Sequence, residues 1–242
     1  MNARLCRSAA TAAVLAAAVA PGAAAAATPT NVDQLIVFHD GSSLAKRVDA
    51  RAATVTVGSR RCAVPARTGM AALVRSKPPG LRLRDFGSCS RHARDAAGLF
   101  VSRIGSDRNH GQDGWVWKVG NKLATTGAAD PSGPFGRGLL RSGASVTWFY
   151  CRLNPSTGSC QRTLSVKPVA NGAGSLSVTV RSYDDRGHAK LVSGATVTAG
   201  SATAQTDASG VARFTALAPG ALKVFATAPK AIRSHSAAVT VS

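Results

Sequence analysis

All three Trp residues of this chain fall in one stretch, residues 114–151. Trp115-Val116-Trp117 and Trp148-Phe149-Tyr150 place bulky apolar side chains at strand period, so each run predicts a β-strand. Trp115, Trp117 and Val119 then share one face of the first strand, with Val116 and Lys118 on the other. Val146, Trp148 and Tyr150 share a face of the second, opposite Thr147 and Phe149. Gly120-Asn121 tolerates positive φ and predicts a tight reversal. Residues 124–141, rich in Gly, Ser and Pro, predict a long loop. Aromatic bulk in this amount is either a cross-strand core or a stacking platform, and the alternation admits both.

The remainder of the chain also reads as β. It contains no Glu, so all 11 acidic residues are Asp, which favours turns and caps over helix interiors. Leu35-Ile36-Val37-Phe38 predicts a strand closed by Asp40-Gly41, and Ala53-Thr54-Val55-Thr56-Val57 a second. Thr68 caps a short predicted helix through Met70 to Val74. Lys77-Pro78-Pro79-Gly80 stops it, because proline cannot continue the ladder. Leu81 to Phe86, Leu99 to Ile104 and Arg162 to Val166 predict further strands.

After a predicted linker at 169–175, cysteine and Trp vanish and short period-two strands recur between evenly spaced turns. Six or seven strands over residues 176–242 are the pattern of a small β-sandwich. The expected organisation is a leader at 1–27, a β domain at 28–168 with one helix, the linker, and a sandwich domain at 176–242.

Arg4 and Arg7, an apolar run from Ala9 to Ala20 and an alanine tract to Ala27 have the layout of a secretory signal peptide, cut near Ala25 to Ala27. Cys6 precedes the apolar run, where no lipid-anchor cysteine would stand. No second run approaches the roughly 20 residues of a membrane span. Four cysteines follow the leader: Cys62, Cys89, Cys151 and Cys160. An even number in an exported chain predicts two disulfides. Cys151 and Cys160 bracket the turn Asn154-Pro155-Ser156-Thr157-Gly158, which leaves Cys62 to pair with Cys89. No CxxC accompanies them, and no metal site is expected. The acids Asp184, Asp185 and Asp207 lie in predicted turns and read as solvated loop residues.

With 30 Lys and Arg against 11 Asp, the chain carries a net charge of +19. Such a charge attracts polyanions whatever the fold. The Arg- and Ala-heavy usage suggests a bacterial genome of high GC content, and for an exported protein of that kind the expected partners are an anionic cell-wall polymer, a polysaccharide or another extracellular protein. Arg60, Arg61, Arg82, Arg84, Arg91 and Arg94 cluster in the first half. No nucleic-acid motif accompanies them, so a nucleic-acid partner is not expected.

GWVWKVGNK, the Gly127-Ala128-Ala129 step and LLRSGASVTWFYC together resemble a bacterial domain of unknown function. That family is related to the C-terminal β-domain of transcobalamin and intrinsic factor. Gly114, Trp115, Trp117, Val119, Gly127, Ala128, Leu140, Gly143, Val146, Trp148 and Tyr150 match its pattern. Ala144 stands where the family places Asp, and Gly120-Asn121 inverts its usual Asn-Gly turn. The resemblance implies a β-grasp-like fold. It does not carry cobalamin binding, because the vitamin there is gripped against a helical barrel that this chain lacks. The second domain, through Gly194-Ala195-Thr196-Val197 and Thr206-Asp207-Ala208-Ser209-Gly210-Val211, resembles carboxypeptidase regulatory-like and bacterial immunoglobulin-like modules, which serve as spacers or stalks.

No GxSxG elbow, HExxH or phosphate-cradling loop occurs, and no Glu can serve as half of a glycosidase pair. His39, His92 and His110 are scattered, without a nucleophile context. The expectation is a non-enzymatic binding or interaction module without a cofactor. A small-molecule carrier and a hydrolase with an unfamiliar site are the alternatives. The candidate ligand residues are Trp115, Trp117 and Trp148, with Gly127, Asp130, Ser132 and Phe135 of the long loop.

Overall fold

A computed structural model describes residues 28–242, so the predicted signal peptide and its cleavage point lie outside the described residues. The first strand, β1 (Asn31–Val37), forms an antiparallel hairpin with β2 (Ser43–Asp49). The hairpin β3 (Ala53–Val57) and β4 (Arg60–Val64) follows, then the helix α1 (Gly69–Ser76). Its start is set by Thr68, whose Oγ1 accepts from Ala71 N at 3.2 Å and donates to Pro65 O at 2.8 Å. Its end falls at Lys77, at φ 52° with its N–H bonded to Val74 O, immediately before the prolines.

A second small sheet is built from β5 (Arg82–Asp85), β6 (Leu99–Ile104) and β7 (Asp107–Arg108). Then come β8 (Gly114–Val119), the short β9 (Lys122–Leu123) and β10 (Ser145–Cys151). These last three join the first hairpin in a five-stranded sheet of order β2-β1-β10-β8-β9. β1 and β10 run parallel at its centre, from Asp33↔Ser145 to Val37↔Phe149, and every other pairing is antiparallel. Two antiparallel strand pairs with their first and last strands parallel and a helix on one face form a β-grasp arrangement.

The alternation in β8 and β10 sorts their side chains as the sequence predicts. Trp117 lies directly opposite Trp148, and Trp115 opposite Tyr150. These four and Val146 face α1 and the β6 strand, within one buried core that includes Met70, Leu73, Leu99 and Ile104. Trp117 and Trp148 stack with centroids 5.8 Å apart, and Trp115 meets Phe38 and Tyr150 edge-on. A Phe or Trp cut back to Ala in such a core costs about 3–5 kcal/mol.

The second unit is a sandwich of two four-stranded sheets. One holds β11 (Thr163–Gly172), β12 (Ser175–Tyr183), β13 (Ala189–Leu191) and, paired on β12, β16 (Val211–Phe214). The other runs β15-β14-β17-β18, from β14 (Thr196–Ala199), β15 (Ala202–Gln205), β17 (Gly220–Thr227) and β18 (Ala237–Val241). Inward residues of both sheets, among them Leu176, Val178, Val180, Val197, Phe214 and Val224, make its core.

The stretch 169–175 is not a linker in this structure. β11 continues through it and turns at Ala173 and Gly174, both at positive φ, into β12. Thr163 to Val166, expected to return to the first domain, instead pair with β12 from Tyr183 to Val180. Period-two alternation running from Thr163 to Pro168, with Leu164, Val166 and Pro168 on one face, is the physical reason. The cysteine turn at 151–160 therefore joins the two units directly.

Two disulfides are present in the predicted pairing. Cys62–Cys89 ties β4 to the loop after β5, and Cys151–Cys160 closes the turn between the units. Among the described residues no helix is long and apolar enough to cross a membrane.

Candidate functional site

A concave pocket of about 440 Å³ opens on the Trp face of the five-stranded sheet. Trp115, Trp117 and Trp148 line it together with Leu99, Phe100 and Val101 of β6. Another wall is Leu123 of β9 and the start of the long loop, Ala124, Thr126, Gly127 and Ala128. Thr126 is the only polar side chain of the lining apart from the indoles. The volume falls within the roughly 300–1,000 Å³ of small-molecule sites.

Backbone geometry holds this wall close to the sheet. A Cβ on Gly127 would lie 2.5 Å from the Ala97 carbonyl oxygen, so glycine permits the loop to meet the segment before β6. Similarly, a Cβ on Gly69 would lie 2.5 Å from Trp117 Cζ3, which lets the first turn of α1 seat directly on the indole. The Met70 N–H also donates to Ala128 O at 2.7 Å, joining helix and loop wall.

The three indoles differ in their polar ends. Trp115 Nε1 donates to Asp107 O at 2.9 Å. Trp148 is 2 % exposed, yet its Nε1 has no hydrogen-bond partner within the protein. An unmet buried donor of this kind costs about 1–3 kcal/mol. At the rim, Phe86 is 83 % exposed and stacks on Phe100 with centroids 4.4 Å apart. A large aromatic left in solvent beside an apolar cavity extends the stacking surface outward.

The structure brings together four of the seven sequence candidates, Trp115, Trp117, Trp148 and Gly127. Asp130, Ser132 and Phe135 do not line the pocket. Asp130 is instead consumed by its own turn, where its Oδ1 accepts from Ser132 N at 2.8 Å and from the Ser132 hydroxyl. The loop beyond Ala128 is held by Thr126 Oγ1 donating to Gly133 O at 2.6 Å and Thr125 N to Pro134 O at 2.9 Å. Leu99, Val101 and the Phe86–Phe100 pair were not sequence candidates. No local signal marked them, since Phe86 read only as the last residue of an alternating strand.

The second unit packs on the opposite face of the same sheet and leaves there a smaller pocket of about 320 Å³ lined by Ser145, Thr147, Thr163 and His235. Ile232 packs among Leu35, Val37, Phe149 and Cys151. Thr147 Oγ1 lies 2.9 Å from His235 Nε2, and Arg233 Nη1 donates to Ser43 Oγ at 2.8 Å. Burial holds the His235 imidazole below its usual range, with Asp33 opposing and Arg233 reinforcing the shift. Lys118, fully buried, donates to Asp184 O at 2.9 Å and to Tyr183 O at 3.3 Å.

Among the described residues, the Ser and Asp side chains singled out from the sequence are engaged in local hydrogen bonds and ion pairs. Ser90 Oγ donates to Asp95 Oδ2 at 2.6 Å and accepts from the His92 backbone N–H, without engaging an imidazole. The turn acids have partners of their own. Asp207 Oδ1 accepts from Ser209 and Val211, while its Oδ2 takes the Arg213 guanidinium, so its carboxyl lies well below the usual range. Asp184 faces Arg162 and His188, and Asp185 faces Lys118.

No family model matches the chain, and neither the curated proteins nor the solved structures searched hold a match to it.

Proposed function

We propose that this chain is an exported, non-enzymatic binding module whose ligand seat is the Trp-lined pocket. The observation that carries the reading is the convergence of all three Trp residues on one concave apolar surface. The three indoles are themselves buried, at 2–7 % exposure, and the pocket lies against them between the β6 strand and the loop wall. The ligand class follows from the lining: a flat aromatic or alicyclic molecule of drug size, held mainly by stacking and apolar burial. The resemblance to the transcobalamin-type β-domain supports a carrier role for this unit and not cobalamin as its cargo. The sandwich unit, resembling carboxypeptidase regulatory-like modules, then serves as the stalk. Export is supported by the two disulfides and by the leader-like first 27 residues.

Titration with the neutral dye N-phenyl-1-naphthylamine tests the seat. Saturable quenching of Trp emission with energy transfer to the dye is the expected result. Ala124→Phe, which fills the pocket from its wall, removes it. Unsaturable or absent transfer in the unaltered protein would overturn the reading.

A further inference from the structure

The outer face of the β5–β6–β7 sheet carries an arrangement that costs stability. Arg82 pairs with Arg103 beside a register shift at Leu83, and Arg103 pairs with Arg108, so three arginines stand opposite one another across three strands. Like charges placed directly opposite on neighbouring strands repel. Arg84, opposite Phe100, extends the same face. Together these four arginines line a groove of about 430 Å³.

Among the described residues no carboxylate neutralises them, and Arg103 Nε donates only to Gly80 O, at 3.4 Å. Among the described residues none of the four takes part in an ion pair. The nearby acids are turned to other work. Asp85 pairs with Arg60 on the other side of the strand, and Asp107 Oδ2 accepts from the His39 backbone N–H at 2.7 Å. The neutral polar groups in the groove are likewise occupied. Ser102 Oγ donates to Arg82 O at 3.1 Å, and Asn109 bridges Val101 O and the Trp115 N–H.

We propose that this arginine ladder is a binding site for a linear polyanion bearing phosphate or sulfate groups. Guanidinium forks bind such oxyanions bidentately. Adjacent strands lie about 4.8 Å apart, so the row spans about 10 Å. That length suits successive oxyanions on one chain better than a single ion. The groove shares only Phe100 with the lining of the Trp pocket, and the proposal does not rest on that pocket.

The test compares long-chain inorganic polyphosphate, heparin and orthophosphate, each titrated at low and at raised salt. The unaltered protein is expected to bind at least one polymer more than about 10-fold tighter per charge than orthophosphate, with affinity falling as salt rises. Which polymer binds tells phosphate from sulfate as the source of the oxyanion. The triple variant Arg82→Ser/Arg103→Ser/Arg108→Ser loses more than about 10-fold of that affinity. A charge-matched control, Arg181→Ser/Lys190→Ser/Lys223→Ser, loses less than about 3-fold. Equal losses in both variants would show diffuse charge attraction and overturn the site, as would orthophosphate binding as tightly as the polymers. Thermal unfolding supplies a second readout that a misfolded variant could not imitate. Arg108→Thr is expected to raise Tm at low salt while weakening polymer binding, because it relieves the ladder's repulsion at Arg103. A fall in Tm would contradict the proposal.

Discussion

Lys118 Nζ lies 3.3 Å from the Asp185 carboxylate, and the two residues belong to different folding units. Lys118 stands on β8 of the Trp sheet, while Asp185 follows β12 of the sandwich. The other Asp185 oxygen accepts from Cys160 N at 3.0 Å, and its backbone carbonyl accepts from Leu123 N at 3.0 Å. The covered face of the Trp sheet is therefore held by charge, by the disulfide turn and by Ile232 together. This makes the sandwich a fixed backing for the pocket sheet and not a module on a free tether.

Removing one partner of a buried pair leaves the other charge uncompensated, at about 3–5 kcal/mol. Asp185→Ala is expected to destabilise by about 3 kcal/mol in denaturant unfolding. The double variant Lys118→Met/Asp185→Ala recovers part of that loss, because no buried charge remains. A double variant that loses the sum of both single losses would refute the coupling.

The interface also has a pH dependence of known sign. Burial favours the neutral form of His235 in the folded protein and lowers its pKa below the unfolded value of about 6.5. As pH falls through that window the unfolded chain binds a proton that the folded chain does not. Stability is accordingly full above about pH 6.5 and lost below it, by at most about 1.4 kcal/mol per pH unit. His235→Gln removes this part of the slope between pH 5 and 7 in thermal unfolding. An unchanged slope in the variant would show that His235 titrates normally.

Gly69 is required for space, not for its backbone angle. With a Cβ 2.5 Å from the Trp117 ring, Gly69→Ala must shift either α1 or the indole. The expected cost is about 1–3 kcal/mol, with an altered Trp emission maximum as the ring moves. Equal stability and identical emission would mean that helix and indole do not meet as described.

Much of this was legible in the order of residues. Bulk at period two in Trp115–Val119 and Val146–Tyr150 gave the faces of β8 and β10 correctly. Thr68 and the Lys77-Pro78 step marked both ends of α1, because capping is a local interaction. β2 was missed for an equally physical reason. Lys46 and Arg47 are exposed on an edge strand, so its pairing with β1 rests on backbone bonds that side chains do not report. The buried role of Lys118 was hidden too, since the alternation placed it on the face opposite the tryptophans without revealing that the sandwich covers that face. Of the pocket, the Trp walls and Gly127 were readable. Leu99, Val101 and Phe86 reach it only through the folding of the β5–β6 hairpin across the sheet, a long-range event with no local signature.

The most direct test of the Trp pocket is an NMR titration of the indole N–H signals, three in number for three Trp residues. Assigned through single Trp→Phe variants, they are followed while naphthalene or quinoline is added. The Trp117 and Trp148 signals are predicted to shift saturably and together, from the ring current of a bound aromatic, and to stay still in Ala124→Phe. Indole signals that remain fixed in the unaltered protein up to the solubility limit of both compounds would contradict the pocket as a ligand seat.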